Sequence, residues 1–80
     1  MLKANGLDEA IIGYGAQPVS DYVIVYDAQK IVDILVDRDK MEREEAWEYF
    51  YFNIEGAYIG ELTPIYVYPA TFEELELIKE

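Results

Sequence analysis

The sequence predicts an α+β fold, in which a helix pair packs on a small β-sheet and a short C-terminal helix follows. Two runs of β-branched and aromatic residues, Tyr22–Tyr26 and Ile65–Tyr68, are typical of strands. Between them, apolar residues recur at helical spacing over two neighbouring stretches. The length of 80 residues predicts one domain, residues 1–80.

The main predicted helix and its exit lie within Met41–Gly60, which contains the only tryptophan of the chain. Glutamates come first and aromatic residues later, an order that suits the positive end of the helix dipole. Trp47, Phe50 and Ile54 fall on a broad apolar face, and an aromatic stripe at this spacing predicts the core. Gly56 is expected to end the helix, because glycine readily adopts the left-handed conformation found there.

An earlier helix is predicted over Ala28–Asp37, directly after the first strand. Asp27 is expected to cap it by accepting hydrogen bonds from the first free amides. Its inner stripe contains Ile31, Ile34 and Leu35. Arg38–Met41 is predicted to be the turn between the two helices, and such a short connection favours roughly antiparallel neighbours.

The N-terminal third allows two interpretations. Leu7–Tyr14 is predicted to form a helical turn that Gly13 and Gly15 end, and a strand over Ala10–Gly13 is the alternative. Gly15–Asp21 is predicted to be a loop, because Gly, Pro, Ser and Asp are turn residues.

The C-terminal part is predicted to contain an irregular exit as far as Gly60, a loop over Glu61–Pro64 and the second strand, which Pro69 closes. Thr71 and the glutamate three residues later form the pattern of a capping box. A short helix over Phe72–Lys79 is therefore expected, and at that length it forms only when it docks.

Alternation with period two separates aliphatic from aromatic side chains in both strands. If the aliphatic faces cover the helices, four tyrosines gather on the outer face of the sheet and become candidates for partner binding: Tyr22, Tyr26, Tyr66 and Tyr68. Rigid tyrosine surfaces favour interfaces, including self-association into a homo-oligomer. The alternative is that the C-terminal helix covers this face. The sequence leaves open whether the strands are parallel.

The net charge of −11 argues against direct binding to nucleic acid or to an anionic membrane, because phosphates would be repelled. It favours a basic protein partner. The candidate acidic residues for that contact lie on the two helices: Asp33, Asp37, Glu44 and Glu48. The alternative is that the acidity only keeps a small domain soluble.

The chain has no histidine or cysteine, and Ser20 is its only serine. This composition argues against hydrolase triads and predicts no metal site. With no phosphate-binding glycine loop either, we expect a protein that is not an enzyme and needs no cofactor. The absence of cysteine permits a reducing cytoplasm, no signal peptide is recognised at Met1–Gly6, and no apolar run reaches the ~18 residues of a membrane span.

The stretch Tyr26–Val67 resembles a group of small uncharacterised proteins from phages, prophages and bacteria. The resemblance covers about half of the chain and rests on these segments: Tyr26-Asp27, Arg38-Asp39-x-Met41, Glu44-Glu45-Ala46, Phe52-Asn53-Ile54-x-Gly56-Ala57 and Thr63-Pro64. Members of the group usually have a small polar residue where this chain has Glu42. The resemblance implies no catalytic residues. It implies a phage accessory protein directed at a host defence or nucleic-acid-handling system.

Two functional hypotheses follow. The first is a non-enzymatic acidic binding protein of phage type that blocks or modulates a basic host protein in the cytoplasm. The second is a structural or assembly protein that self-associates through the tyrosine face of the sheet.

Overall fold

The computed structural model describes residues 2–17, 20–57, 60–71 and 73–75. It confirms the α+β fold, with one three-stranded sheet and helices. The elements in chain order are a turn of 3-10 helix at Asp8–Ala10, β1 at Ile11–Gln17, β2 at Ser20–Asp27, α1 at Ala28–Asp37, α2 at Arg43–Tyr49, a π-helical segment at Phe50–Glu55 and β3 at Ile65–Val67. Within the described ranges, no helix is long and apolar enough to cross a bilayer.

The strand order is β1-β2-β3, so β2 is the central strand. The first pair is antiparallel and the second pair is parallel. A parallel pair needs a crossover of a dozen or more residues. The two helices supply that crossover, because α1 and α2 both lie between β2 and β3 in the chain.

The structure corrects the prediction for the N-terminal third. The predicted helical turn exists only over Asp8–Ala10, and β1 follows where Gly13 and Gly15 were expected to end the turn. The predicted loop Gly15–Asp21 is likewise strand over its described ends. The glycines interrupt the hydrophobic alternation that identifies a strand, and the pairing with β2 shifts register on both sides of the segment from Gly13 to Gly15.

The first helix agrees with the prediction at both ends. One carboxylate oxygen of Asp27 accepts hydrogen bonds from the backbone amides of Gln29 and Lys30, at 2.9 and 3.2 Å. On the inner stripe, Ile31 and Leu35 are buried and Ile34 is half-buried. Capping and burial therefore act together on α1, as the sequence indicates.

The second helix begins after Glu42, whose backbone amide donates to the Glu45 carboxylate at 3.4 Å. The helix continues as the π-helical segment, which periodicity did not predict. The expectation for Gly56 is right about the end of the helix and wrong about its conformation, since the φ of Gly56 is −74°. Glycine is needed there because a β-carbon would lie 2.9 Å from the carbonyl oxygen of Tyr51.

The core lies between the sheet and the helices. Of the three predicted core residues in the second helix, Phe50 is fully buried, and Trp47 and Ile54 are half-buried and pack against the core. The ring of Phe50 meets the ring of Tyr66 edge-on at 5.5 Å, and Tyr66 stacks on Tyr26 at 5.6 Å.

Tyr26 and Tyr66 therefore face the helices, so the condition under which four tyrosines would gather on the outer face of the sheet is not met. Tyr26 is fully buried in this core, and Tyr66 packs against it. Val23 is also fully buried, but it lies outside the cluster that joins the sheet to the helices. The hydroxyl of Tyr26 accepts a hydrogen bond from the backbone amide of Ala4 at 2.8 Å, so its burial leaves no unpaired polar group.

The predicted capping box at Thr71 is present. The Thr71 hydroxyl oxygen accepts from the Glu74 amide and the Glu74 carboxylate accepts from the Thr71 amide, both at 3.1 Å. Residues 73–75 are helical, and the rest of the predicted helix Phe72–Lys79 lies outside the described residues.

Candidate functional site

The four candidate tyrosines do not form one surface. Tyr26 and Tyr66 lie in or against the core, as described above. Tyr22 is 53% exposed, and its ring packs edge-on against Tyr14 at 5.2 Å. Tyr68 is 45% exposed and packs on the second helix. The tyrosine-rich sheet face on which self-association was predicted is therefore not an open surface.

The two candidate aspartates of α1 differ in their pairing. Asp33 accepts from the Arg43 guanidinium at 2.9 Å and from the side-chain amide of Gln29 at 3.3 Å. Asp37 is exposed and lines a shallow depression that also contains Lys30 and two further carboxylates, and it has no ion-pair partner among the described residues. The charge of Asp33 is therefore compensated, whereas that of Asp37 is not.

The two candidate glutamates of α2 are in a different environment. Glu44 and Glu48 are exposed, and neither has an ion-pair partner among the described residues. They lie one turn apart on the helix, and Phe52 follows at the same spacing. Phe52 is 79% exposed, the highest exposure of any large apolar side chain in the described ranges. A carboxylate stripe therefore leads directly to an exposed aromatic ring.

Beside this stripe, three aromatic rings stack on one another. The Trp47 ring lies 5.6 Å from that of Tyr51, at 30°, and 6.3 Å from that of Tyr68, at 14°. Tyr51 and Tyr68 are each nearly half exposed. The Tyr68 hydroxyl donates a hydrogen bond to the Glu55 carboxylate, which orients the ring at the end of the stack. We call Trp47, Tyr51 and Tyr68 the aromatic stack.

The outer helix face comprises five exposed side chains that share one side of the second helix and its π-helical continuation: Glu44, Glu48, Tyr51, Phe52 and Glu55. Only the two glutamates of α2 were candidates from the sequence. Tyr51 and Phe52 were missed because the aromatic run that contains them was interpreted only through its predicted core residues, Trp47 and Phe50. Both lie in the π-helical segment, and such segments are frequent at functional sites.

The outer helix face offers rigid aromatic area and carboxylates. In the described part of the chain, no three carboxylates are grouped closely enough to hold a metal ion. Negative carboxylates and the negative faces of aromatic rings both attract cations. The face is therefore suited to binding arginine or lysine side chains.

Comparisons with protein-family models, with curated proteins and with solved structures found no match for this chain.

Proposed function

We propose that this protein is a non-enzymatic binding protein that blocks or modulates a basic partner protein through its outer helix face. The observation that carries the proposal is the position of Phe52. This ring is 79% exposed and continues the stripe formed by Glu44 and Glu48. Aromatic side chains are enriched in protein–protein interfaces, and Phe52 lies next to a second exposed ring, Tyr51.

The chemistry of the outer helix face selects arginine-rich partners. An arginine guanidinium can pair with a carboxylate and can also lie flat on a tyrosine or tryptophan ring. The aromatic stack is held by its internal contacts and by Glu55, so little side-chain entropy is lost when a partner binds. The overall charge of −11 adds long-range attraction, which accelerates encounter with a basic surface.

The resemblance to phage and prophage proteins supports a host protein as the partner. Proteins that handle nucleic acid carry basic grooves, and an acidic protein can occupy such a groove in competition with phosphates. In this proposal the protein acts in the host cytoplasm, and its effect is steric and electrostatic.

The proposal can be tested with the intrinsic fluorescence of Trp47, the only tryptophan and a member of the aromatic stack. The probe is an amphipathic peptide of alternating arginine and leucine. We expect saturable binding that weakens as salt is raised, because exposed charges are screened. A peptide with lysine at the same positions is expected to bind more weakly, since lysine lacks the planar group that stacks.

The decisive variant reverses both glutamates, Glu44→Lys with Glu48→Lys. Its matched control, Glu61→Lys with Glu73→Lys, changes the net charge by the same amount at exposed positions elsewhere. We expect the first variant to lose arginine-peptide binding by about tenfold or more and the control to lose much less. Equal losses would show that only net charge matters, and an unchanged affinity in the first variant would exclude the outer helix face as the binding surface.

A further inference from the structure

A cleft of about 300 Å³ lies on another side of α2 and its π-helical continuation, and no residue of the aromatic stack lines it. It is bounded by the N-terminal segment around Asn5, by the helix at Tyr49 and Asn53, and by Tyr66 of β3. Leu7 and Leu35 of the core also line it. Its volume corresponds to that of about ten water molecules, which is near the lower limit for small-molecule sites.

Several segments that are distant in sequence meet at this cleft. The turn residues Arg38 and Asp39, the helix-exit residues Asn53 and Ala57, and Pro64 before β3 all line it. The fold therefore brings separate parts of the chain together around one cleft.

The polar groups of the cleft are available to a ligand. The side-chain amides of Asn5 and Asn53 and the hydroxyls of Tyr49 and Tyr66 make no hydrogen bond to other described residues. Each side-chain amide carries two hydrogen-bond donors on its nitrogen and an acceptor on its oxygen. Burial raises the pKa of Tyr66, so its hydroxyl keeps its proton and can donate. These groups complement a ligand edge that contains both donors and acceptors.

The cations of the cleft are already paired. Lys3 lies 3.2 Å from the Asp8 carboxylate. Arg38 donates to Asp39 at 2.9 Å and to the carbonyl of Gly6 at 2.6 Å. The hydrogen bond from Arg38 lowers the pKa of Asp39, which therefore stays ionised at neutral pH. With these charges balanced inside a chain of net charge −11, the cleft favours a neutral ligand over an anion.

The ring of Tyr49 favours a planar ligand. It is 42% exposed, lines the cleft and has no ring contact with another described aromatic residue, so a ligand in the cleft can contact the ring. Asn53 follows four residues later and lies on the same flank of the helix. A planar heterocycle can stack on tyrosine while an asparagine amide bonds to its edge, and asparagine forms such paired hydrogen bonds with adenine.

From these observations we infer that the cleft binds a neutral nucleobase or nucleoside, with the base on Tyr49 and its polar edge at Asn53. The volume of about 300 Å³ accommodates a nucleobase. This inference goes beyond the proposed function and uses none of the residues of the outer helix face.

The test is a titration of the isotope-labelled full chain, followed by backbone amide chemical shifts. The probes are adenosine, uridine, adenosine monophosphate and a short single-stranded oligonucleotide. We expect saturable shifts with adenosine around Tyr49 and Asn53, at a dissociation constant on the order of 100 µM for a ligand of this size. The monophosphate and the oligonucleotide are expected to bind more weakly, because the protein repels phosphates.

Asn53→Ala is expected to weaken adenosine binding about tenfold, the equivalent of a lost pair of hydrogen bonds. Gln29→Ala is the matched control, because it removes an exposed amide from α1 outside the cleft. Three results would overturn the inference: no saturable shifts with either nucleoside at millimolar concentration, equal effects of the two variants, or tighter binding of the monophosphate or the oligonucleotide. Failure here leaves the arginine-peptide result untouched, because the two experiments use different surfaces and different ligands.

Discussion

The rings of Trp47 and Tyr68 lie 14° from parallel, with centroids 6.3 Å apart. This contact joins the second helix to the chain just after β3, because Tyr68 directly follows the last residue of that strand. The Tyr68 hydroxyl also donates to Glu55, so one side chain is held at two positions along the helix. The aromatic stack therefore supports the fold as well as forming part of the proposed binding surface.

Tyr68→Ala is expected to lower the free energy of unfolding by about 1–2 kcal/mol, through loss of stacking and of the bond to Glu55. Urea denaturation measures this change, and Trp47 emission should shift to longer wavelength as the ring gains solvent. Tyr22→Ala is the matched control, because Tyr22 has similar exposure and contacts one described ring, Tyr14. If both variants lost the same stability, the stack would contribute nothing specific.

The hydrogen bond from the Ala4 amide to the Tyr26 hydroxyl predicts that two Tyr→Phe substitutions differ in their effect on stability. Tyr26→Phe leaves the Ala4 amide without its partner and is expected to destabilise the protein by about 1–2 kcal/mol. Tyr66→Phe removes a hydroxyl that bonds to no described residue, so we expect a smaller loss. Thermal unfolding of the two variants tests the contrast, and the reverse order would contradict the assigned hydrogen bond.

Gly56→Ala is expected to destabilise the protein, although alanine normally favours helix over glycine by about 1 kcal/mol. The backbone of Gly56 has an ordinary right-handed conformation, so backbone strain does not determine whether alanine raises or lowers the free energy of unfolding. The β-carbon would lie 2.9 Å from the Tyr51 carbonyl oxygen, which is a backbone atom and cannot move aside as a flexible side chain would. A stabilised Gly56→Ala variant, measured by chemical denaturation, would show that this end relaxes freely.

Tyr66 predicts how stability depends on alkaline pH. Burial raises its pKa above the ordinary value of about 10, and the Tyr26 phenolate and the Glu55 carboxylate add to the effect. The folded state thus favours the neutral phenol. This contribution is complete below about pH 10 and is lost as the pH rises through the raised pKa.

The free energy of unfolding should therefore fall more steeply above about pH 10 in the unmodified protein than in Tyr66→Phe. Denaturation across alkaline pH measures the two slopes. A difference titration of phenolate absorbance between the same proteins isolates Tyr66 from the other tyrosines. Parallel slopes would show that its pKa is the same in the folded and unfolded states.

Phe52→Ser separates binding from stability. Because the ring is 79% exposed, the free energy of unfolding should change by less than about 0.5 kcal/mol. Binding of the arginine–leucine peptide should weaken severalfold, since the exposed apolar anchor is lost. Loss of stability without loss of binding would assign Phe52 to the fold and remove the observation on which the proposed function rests.

The sequence predicts the helices well because their signals are local. The carboxylate of Asp27 caps α1 by accepting hydrogen bonds from the backbone amides two and three residues later. The buried residues Ile31 and Leu35 are four residues apart, which is the spacing of a helical stripe. The capping box of Thr71 and Glu74 is local in the same way. Such contacts depend on the neighbouring chain and hardly on the rest of the fold.

β1 could not be predicted in this way, because a strand forms through pairing with a distant segment. Tyr14 pairs with Ile24 of β2, and two register shifts let a glycine-rich segment join the sheet. The pattern of alternating residues was correct for β2 and β3, but alternation does not say which face meets the helices. Tyr26 can be buried against them because its hydroxyl accepts a hydrogen bond from the Ala4 amide, a contact that exists only in the folded chain.

By itself, the sequence determined the charge of the protein, and it predicted the two helices and the two clearest strands. Only the tertiary structure decided that Asp33 is paired with Arg43, that Tyr26 is buried and that Tyr51 and Phe52 are exposed. The physical reason is that exposure and ion pairing depend on which segments meet in space. Periodicity fixes the face of a helix only to within the width of its apolar stripe, so it does not say which of the clustered aromatic residues stay exposed.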